Sequence, residues 1–405
     1  MITKEPDTGP KIAPGACAYC ADAPLNHTLS YWSSFLVEPL DDHMIRTSYR
    51  APKFLKRLVD FFVAGTFGTL TALSLAKFSG ELERAKTFRS RVIWEEAKRR
   101  GIKMEQLILF GKPLDHYRAL LRQGSAGQAK RIYFESLPVP EEMQEMQRNW
   151  DDKFLLKREF LKHNIPAPRY ALPKLWRPNL KKIFSELEKP LIVKPKLGSR
   201  GRHTLINIRT LKDLERAVEI TREITPNLII EEQILGDVCR ATLVRGRLAG
   251  FYRGRAPDVV GDGIHTIAEL ITAKDASRPE RVEKVRRGAE LESHLLMQGY
   301  ELGDVLPDRE RVTLSHRIGR LFGGSTREMI EELHPSFVPI FEKAAKVTGL
   351  AVVGFDAIIP DPTAPAESER WGIIEANTLP FIDLHYYALE GKPKNIAGMI
   401  WDLWK

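Results

Sequence analysis

Cysteine is scarce in this chain. Three cysteines among 405 residues exclude a disulfide scaffold and fit a reducing compartment. Long apolar runs are missing too. The most apolar stretch, Leu58 to Ala76, has 16 uncharged residues after Asp60, glycines and threonines among them, short of the ~20 that a membrane-spanning helix needs. Met1 to Pro14 has no apolar core, so no signal peptide is expected and the expected setting is cytoplasmic. No GK[ST] loop opens a helix, which removes a Walker-type phosphate site. There is no internal repeat and no low-complexity segment.

What remains is ordinary globular material, 43% apolar and 28% charged, long enough for two or three domains. The net charge of +9 is spread along the chain and suits anionic small molecules, nucleic acid or an anionic membrane equally. Lys53, Lys56, Arg57 and Lys77 flank the 58–76 segment, which reads as a buried helix, with a helix in a membrane interface as the alternative. Cys17-Ala-Tyr-Cys20, followed by His27 and His43, offers zinc-ligand chemistry. Its spacing matches no known finger and no second cysteine pair follows, so residues 1–50 read as a flexible arm.

Chemistry concentrates later in the chain. Ser90 to Arg100 has helical spacing, Gln106 to Phe110 reads as a strand, Pro113 to Arg122 as a helix and Arg131 to Phe134 as a strand, together a small α/β layer. Leu137-Pro-Val-Pro140 marks a boundary. A helix capped by Asn149 or Asp151 then begins, with Lys153 in its first turn, a place where the helix dipole favours anions; a lysine there suits joint anion binding. Pro190 to Ile208 reads as a hairpin carrying Lys194 into a tip of Gly198, Ser199, Arg200, Gly201 and Arg202, backbone and charge suited to closing over phosphates. Arg240 to Arg255 reads as two strands around Arg245-Gly246, and Asp258 to Ile271 as a turn followed by a capped helix.

Ala351 to Ile359 and Trp371 to Asn377 read as two apolar strands, each interrupted by an acid and joined by a polar loop. Side chains alternate along a strand, so Glu375 and Asn377 share a face and Asp356 joins them from the neighbouring strand. Two carboxylates and an amide oxygen are hard ligands suited to Mg²⁺.

These motifs in this order, from about Asn149 to Lys405, resemble the ATP-grasp superfamily, most closely the ligase domain of cyanophycin synthetases. The segments IVKPKLGSRGR, PDVVGDGIHTIAELI, GFDAII and IIEANTLPFIDLHYYALEGKPKNIA carry the resemblance. It implies an α+β fold of antiparallel sheets with a glycine-rich lid, preceded by a small α/β domain. The expected bounds are 51–147 for that domain and 148–405 for the ATP-grasp domain, with the lid at about 168–230 and an insertion at about 259–300.

By position, the resemblance implies that Lys153 and Lys194 bind nucleotide, that Gly198, Ser199 and Gly201 cover its phosphates, and that Glu231, Glu232 and Ile234 receive adenine and ribose. Asp356, Glu375 and Asn377 would bind Mg²⁺, two ions, with Mn²⁺ as a substitute. Arg253 and Lys194 would be catalytic, and Arg317, Gly323, Gly324 and His385 would lie on the substrate side. The implied reaction is ATP-dependent carboxylate–amine ligation through an acyl phosphate, on small-molecule or peptide substrates. A phosphotransferase on the same fold and a membrane-associated ATP-binding protein are the alternatives; no specific nucleic acid is expected, and the oligomeric state stays open.

Two departures qualify the resemblance. Leu314 to Phe322 lacks the asparagines expected from cyanophycin synthetases, and the residues before about 148 do not resemble their N-terminal domain, so cyanophycin is not the expected product. Arg253, Arg255, Arg317, Arg320 and Lys392 outnumber what one acyl phosphate needs, and guanidinium forks suit carboxylates, so a substrate with an extra carboxylate is expected.

Overall fold

A computed structural model describes residues 17, 19–20, 25–36, 75–85, 87–123, 128–143, 150–176, 178–197, 202–315 and 317–405. Gly198, Ser199 and Gly201, residues 58–74 and His43 lie outside them. The chain forms two compact units, the first from 17–36, 168–238 and 253–327, the second from 75–167, 239–252 and 328–405.

The second unit begins with a sheet of order β1-β2-β3-β4, formed by Ala76–Ser79, Lys103–Leu109, Lys112–Gln123 and Gln128–Glu135. All three of its pairings are antiparallel. Pro113 to Arg122, expected to be helical, is therefore a strand, and the region is a meander beside one helix, Phe88–Arg99, in place of β/α alternation. Leu114, Tyr117 and Leu121 fit a helical stripe, but Tyr117, Ala119 and Leu121 fit a period of two equally well. Burial of those three residues between paired strands decides for the strand, and Phe110-Gly111, both at positive φ, makes the turn that returns the chain. Ile396, Ile400 and Trp401 complete this core.

A five-stranded sheet of order β13-β10-β9-β14-β15 follows, from Asp237–Val244 (β9), Arg247–Gly254 (β10), Thr326–Glu328 (β13), Val352–Ile359 (β14) and Gly372–Asn377 (β15). The expected turn at Arg245-Gly246 is present, with φ of 50° and 71°, values that suit the twist of a two-residue hairpin. The helices Lys153–Lys162 and Phe337–Thr348 supply the core on this sheet, through Leu155, Leu156, Phe160, Phe337 and Phe341. Asp152 caps the first helix, accepting from the N–H groups of Phe154 and Leu155, where Asn149 or Asp151 was expected.

In the first unit the strands Tyr170–Ala171 (β5), Leu191–Pro195 (β6), Leu205–Ile208 (β7) and Leu228–Glu232 (β8) form a sheet of order β5-β8-β6-β7. The helices Leu180–Glu186 and Leu211–Arg222 cover one face through Leu191, Val193, Leu228 and Ile230. By alternation Lys194 and Glu231 stand on the other face. Asp258–Val260 (β11) pairs with Arg311–Thr313 (β12), and the helix Ile267–Ser277 starts with a complete Thr266/Glu269 capping box.

Candidate active site

The expected metal ligands lie in the second unit. β14 and β15 pair antiparallel with Asp356 directly opposite Glu375. Like charges in such a cross-strand pair destabilise a sheet, so compensation is needed, and two cations provide it. Arg240 of β9 grips Asp356 in a bidentate fork, Nε and Nη2 donating at 2.6 and 2.7 Å. Lys153, in the first turn of its helix, stands 3.7 Å from Glu375. Burial works against the Arg240 charge, yet Asp356 beside it holds its pKa well above the ordinary range. Asn377 donates its amide N–H to Asp356 at 3.1 Å, which commits its nitrogen, so that a cation bound here would meet its oxygen.

Three more residues belong here that the sequence reading did not assign. Arg240 is one. Lys157, fully buried, donates to the Ile374 carbonyl at 2.9 Å and braces β15 beside Glu375. Asp151 has its pKa raised by burial and by the Glu375 carboxylate. Spacing held signals for two of them: Lys157 follows Lys153 by one helical turn, on the same face, and Asp151 sits in the acidic Asp151-Asp152 pair at the helix start. A carboxylate-rich, oxygen-only donor set of this kind fits a hard divalent cation.

Of the expected nucleotide residues in the first unit, Lys194 lies on β6 and Glu231 and Glu232 lie on β8. Lys194 pairs with Glu231 at 2.9 Å, and Glu231 is 1% exposed. Glu232 points to the opposite face, where it accepts from the Glu188 N–H at 2.8 Å and pairs with Arg169 at 3.2 Å. Ile234 is buried. Arg253, at the end of β10, forms an ion pair with Asp237 at the start of β9.

The substrate-side residues are changed most by the structure. Arg317 forms an ion pair with Glu290 at 2.8 Å, and Lys392 pairs with Glu331 at 3.3 Å. With Arg253 held by Asp237, three of the five expected cations are ion-paired within the chain. A Cβ on Gly324 would lie 2.1 Å from the Arg255 carbonyl, and Gly323 has φ +83°, so a close backbone turn already requires both glycines. His385 is fully buried, its Nδ1 2.5 Å from Glu328 Oε2 and its Nε2 2.7 Å from Thr242 Oγ1. No face of this ring is open to a substrate.

No family model matches the chain. Cyanophycin synthetase from Trichormus variabilis is 28% identical over 258 residues, 62% of this chain and 29% of that protein. The glutathione biosynthesis bifunctional protein GshAB from Listeria monocytogenes is 28% identical over 329 residues, 77% of this chain and 40% of that protein. The chain thus spans less than half the length of each of these relatives. Among solved structures, a bifunctional glutathione synthetase from Pasteurella multocida superposes with a TM-score of 0.55 at 22% identity, covering 78% of this chain and 44% of that one. The chain has the ATP-grasp fold and is similar in sequence to the cyanophycin synthetases.

Proposed function

We propose that the chain joins a carboxylate to an amine at the expense of ATP. The observation that carries this reading is the Asp356–Glu375 register with Asn377 beside it, two carboxylates and an amide set side by side on paired strands. Asp356, Glu375 and Asn377 would hold Mg²⁺, which when bound neutralises phosphate charge and orients the transferred group. Lys194 and Lys153 are assigned to the nucleotide phosphates.

A free carboxylate is a poor acyl donor to an amine. Transfer of the γ-phosphoryl group to a carboxylate oxygen releases ADP and leaves an acyl phosphate; the amine then attacks the acyl carbon, phosphate departs with the C–O electron pair, and the nitrogen loses a proton. Arg253 is assigned to the oxyanion that develops in the second step, a role for which it must exchange Asp237 for the substrate. Acid and amine remain open within the class of small molecules and peptides.

The test is ADP and phosphate release over a panel of amino acids and short peptides, with hydroxylamine as a trap. A ligase gives a hydroxamate when hydroxylamine replaces the amine. ADP release with a stable phosphorylated alcohol identifies a phosphotransferase instead, and no turnover with any pair leaves a binding protein.

Lys194→Ala is expected to raise the KM for ATP by about tenfold to a hundredfold, the worth of one charge-assisted hydrogen bond, with the KM for the amine little changed. Steady-state kinetics in both substrates checks this. Equal losses would mean that the lysine serves only to neutralise Glu231.

A further inference from the structure

Cys17, Cys20, His27 and His203 come together within the first unit. Cys20 Sγ lies 3.0 Å from His27 Nε2 and 3.4 Å from His203 Nε2, and Cys17 Sγ lies 3.4 Å from the same His203 nitrogen. All four ligand atoms lie within 4.8 Å of one another. Tetrahedral zinc, with bonds of about 2.3 Å to sulfur and 2.0–2.1 Å to nitrogen, sets neighbouring ligand atoms about 3.3–3.8 Å apart. We propose that these four residues form a structural zinc site that clasps the segment 17–36 to the β6–β7 hairpin and its following helix.

The surroundings are those of ligands already oriented. His203 Nδ1 is 2.7 Å from the Ile220 carbonyl, which can only accept, so Nδ1 carries the proton and Nε2 presents its lone pair to both sulfurs. His27 Nδ1 faces Glu223 Oε2 at 3.4 Å, the carboxylate–histidine arrangement that typically fixes a zinc-bound imidazole. The Tyr19 N–H donates to Cys17 Sγ at 3.4 Å, and the His203 N–H to the Tyr19 carbonyl at 2.9 Å. His203 also holds a left-handed backbone, φ +44°, which a non-glycine residue adopts at a cost.

Hydrogen bonding alone explains the cluster poorly. Two thiols are weak donors, and both crowd a single imidazole lone pair. Zinc removes that conflict: two thiols lose their protons, two thiolates and two neutral imidazoles bind, and the charge within the site cancels. Four protein ligands leave no open position, so the site is structural and not catalytic. Beyond it the contact continues through the helix over residues 27–36, where Ser34 and Thr225 hydroxyls meet at 2.6 Å and Asn227 donates to the Ser34 carbonyl.

The full chain, purified under reducing conditions without chelator, is expected to carry equimolar zinc by elemental mass spectrometry. Cobalt exchanged into it should give the intense visible bands of a tetrahedral thiolate site, bleached by added zinc. Glu223→Ala, at a half-exposed carboxylate, should fold normally and weaken zinc affinity by about tenfold to a hundredfold. Chelation should raise hydrogen exchange in 17–36 and around His203. A weak octahedral cobalt spectrum from the unmutated protein would overturn the proposal, as would equimolar zinc retained by the Cys17→Ser/Cys20→Ser double variant, or a Cys17–Cys20 disulfide in fresh metal-free protein.

Discussion

Asp356→Ala is expected to lose ATP turnover and stability together, and the two losses are separable. The substitution leaves the Arg240 guanidinium, itself among the buried polar groups, without the carboxylate that receives both of its donors. Stranding one partner of a buried ion pair costs about 3–5 kcal/mol, a large part of the ~5–15 kcal/mol that holds a domain together. Arg240→Met added to Asp356→Ala removes the stranded charge and should recover most of that stability, since apolar replacement of a whole pair is near neutral. Turnover should stay absent. Glu375→Ala separates the effects from the other side. That carboxylate is 28% exposed with its lysine at 3.7 Å, and its removal relieves the like-charge contacts with Asp356 and Asp151, so stability should fall by less than in Asp356→Ala while Mg-dependent turnover falls by about 10²–10³. Denaturant unfolding and ADP release on the three variants give both readings. Unchanged turnover in Glu375→Ala would remove the metal assignment.

The same residues show what a sequence can and cannot reveal. Strand alternation is a local signal, and it placed Glu375 and Asn377 on one face; Asp356 joined them on the expectation that the two strands are neighbours, and the register sets it opposite Glu375. The capping box at Thr266 and the Arg245-Gly246 turn were legible for the same reason: spacing of a few residues dictates the geometry. Arg240 was not, because nothing within its own strand marks it as the partner of a carboxylate 116 positions later; strand order creates that contact. His203 illustrates this more strongly. Cys17, Cys20, His27 and His43 offered zinc-ligand chemistry but matched no known finger spacing, so the region read as a flexible arm, whereas the histidine that the fold brings beside the two cysteines lies 183 positions beyond Cys20. Pro113 to Arg122 failed in a different way. Its residues satisfy a helix and a strand equally, and tertiary burial made the choice.

Glu328→Ala is the other substitution with a severe expected effect, and its logic decides the role of His385. Glu328 is 3% exposed. Its Oε1 accepts from the Phe251 N–H at 2.9 Å, and its Oε2 meets His385 Nδ1 at 2.5 Å, so one carboxylate joins β13, β10 and the segment around His385. Because a carboxylate can only accept, that imidazole nitrogen carries the proton, and the ring is fixed between Glu328 and Thr242. The ring is also sterically enclosed: a Cβ on Gly250 would lie 2.5 Å from Nδ1. Removing the carboxylate leaves a backbone N–H and an imidazole N–H buried without acceptors, at about 1–3 kcal/mol each. Glu328→Ala should therefore lower stability by about 3–5 kcal/mol, and His385→Ala by a comparable amount through the cavity and the stranded carboxylate. Glu328→Gln keeps an acceptor for Phe251 and should cost less. A residue that only supports the sheet affects substrate binding little once the protein is folded. The KM values of Glu328→Gln should accordingly match those of the unmodified protein below its lowered Tm. A rise in the KM of one substrate with unchanged Tm would return His385 to the substrate side and show that the enclosed ring opens during turnover.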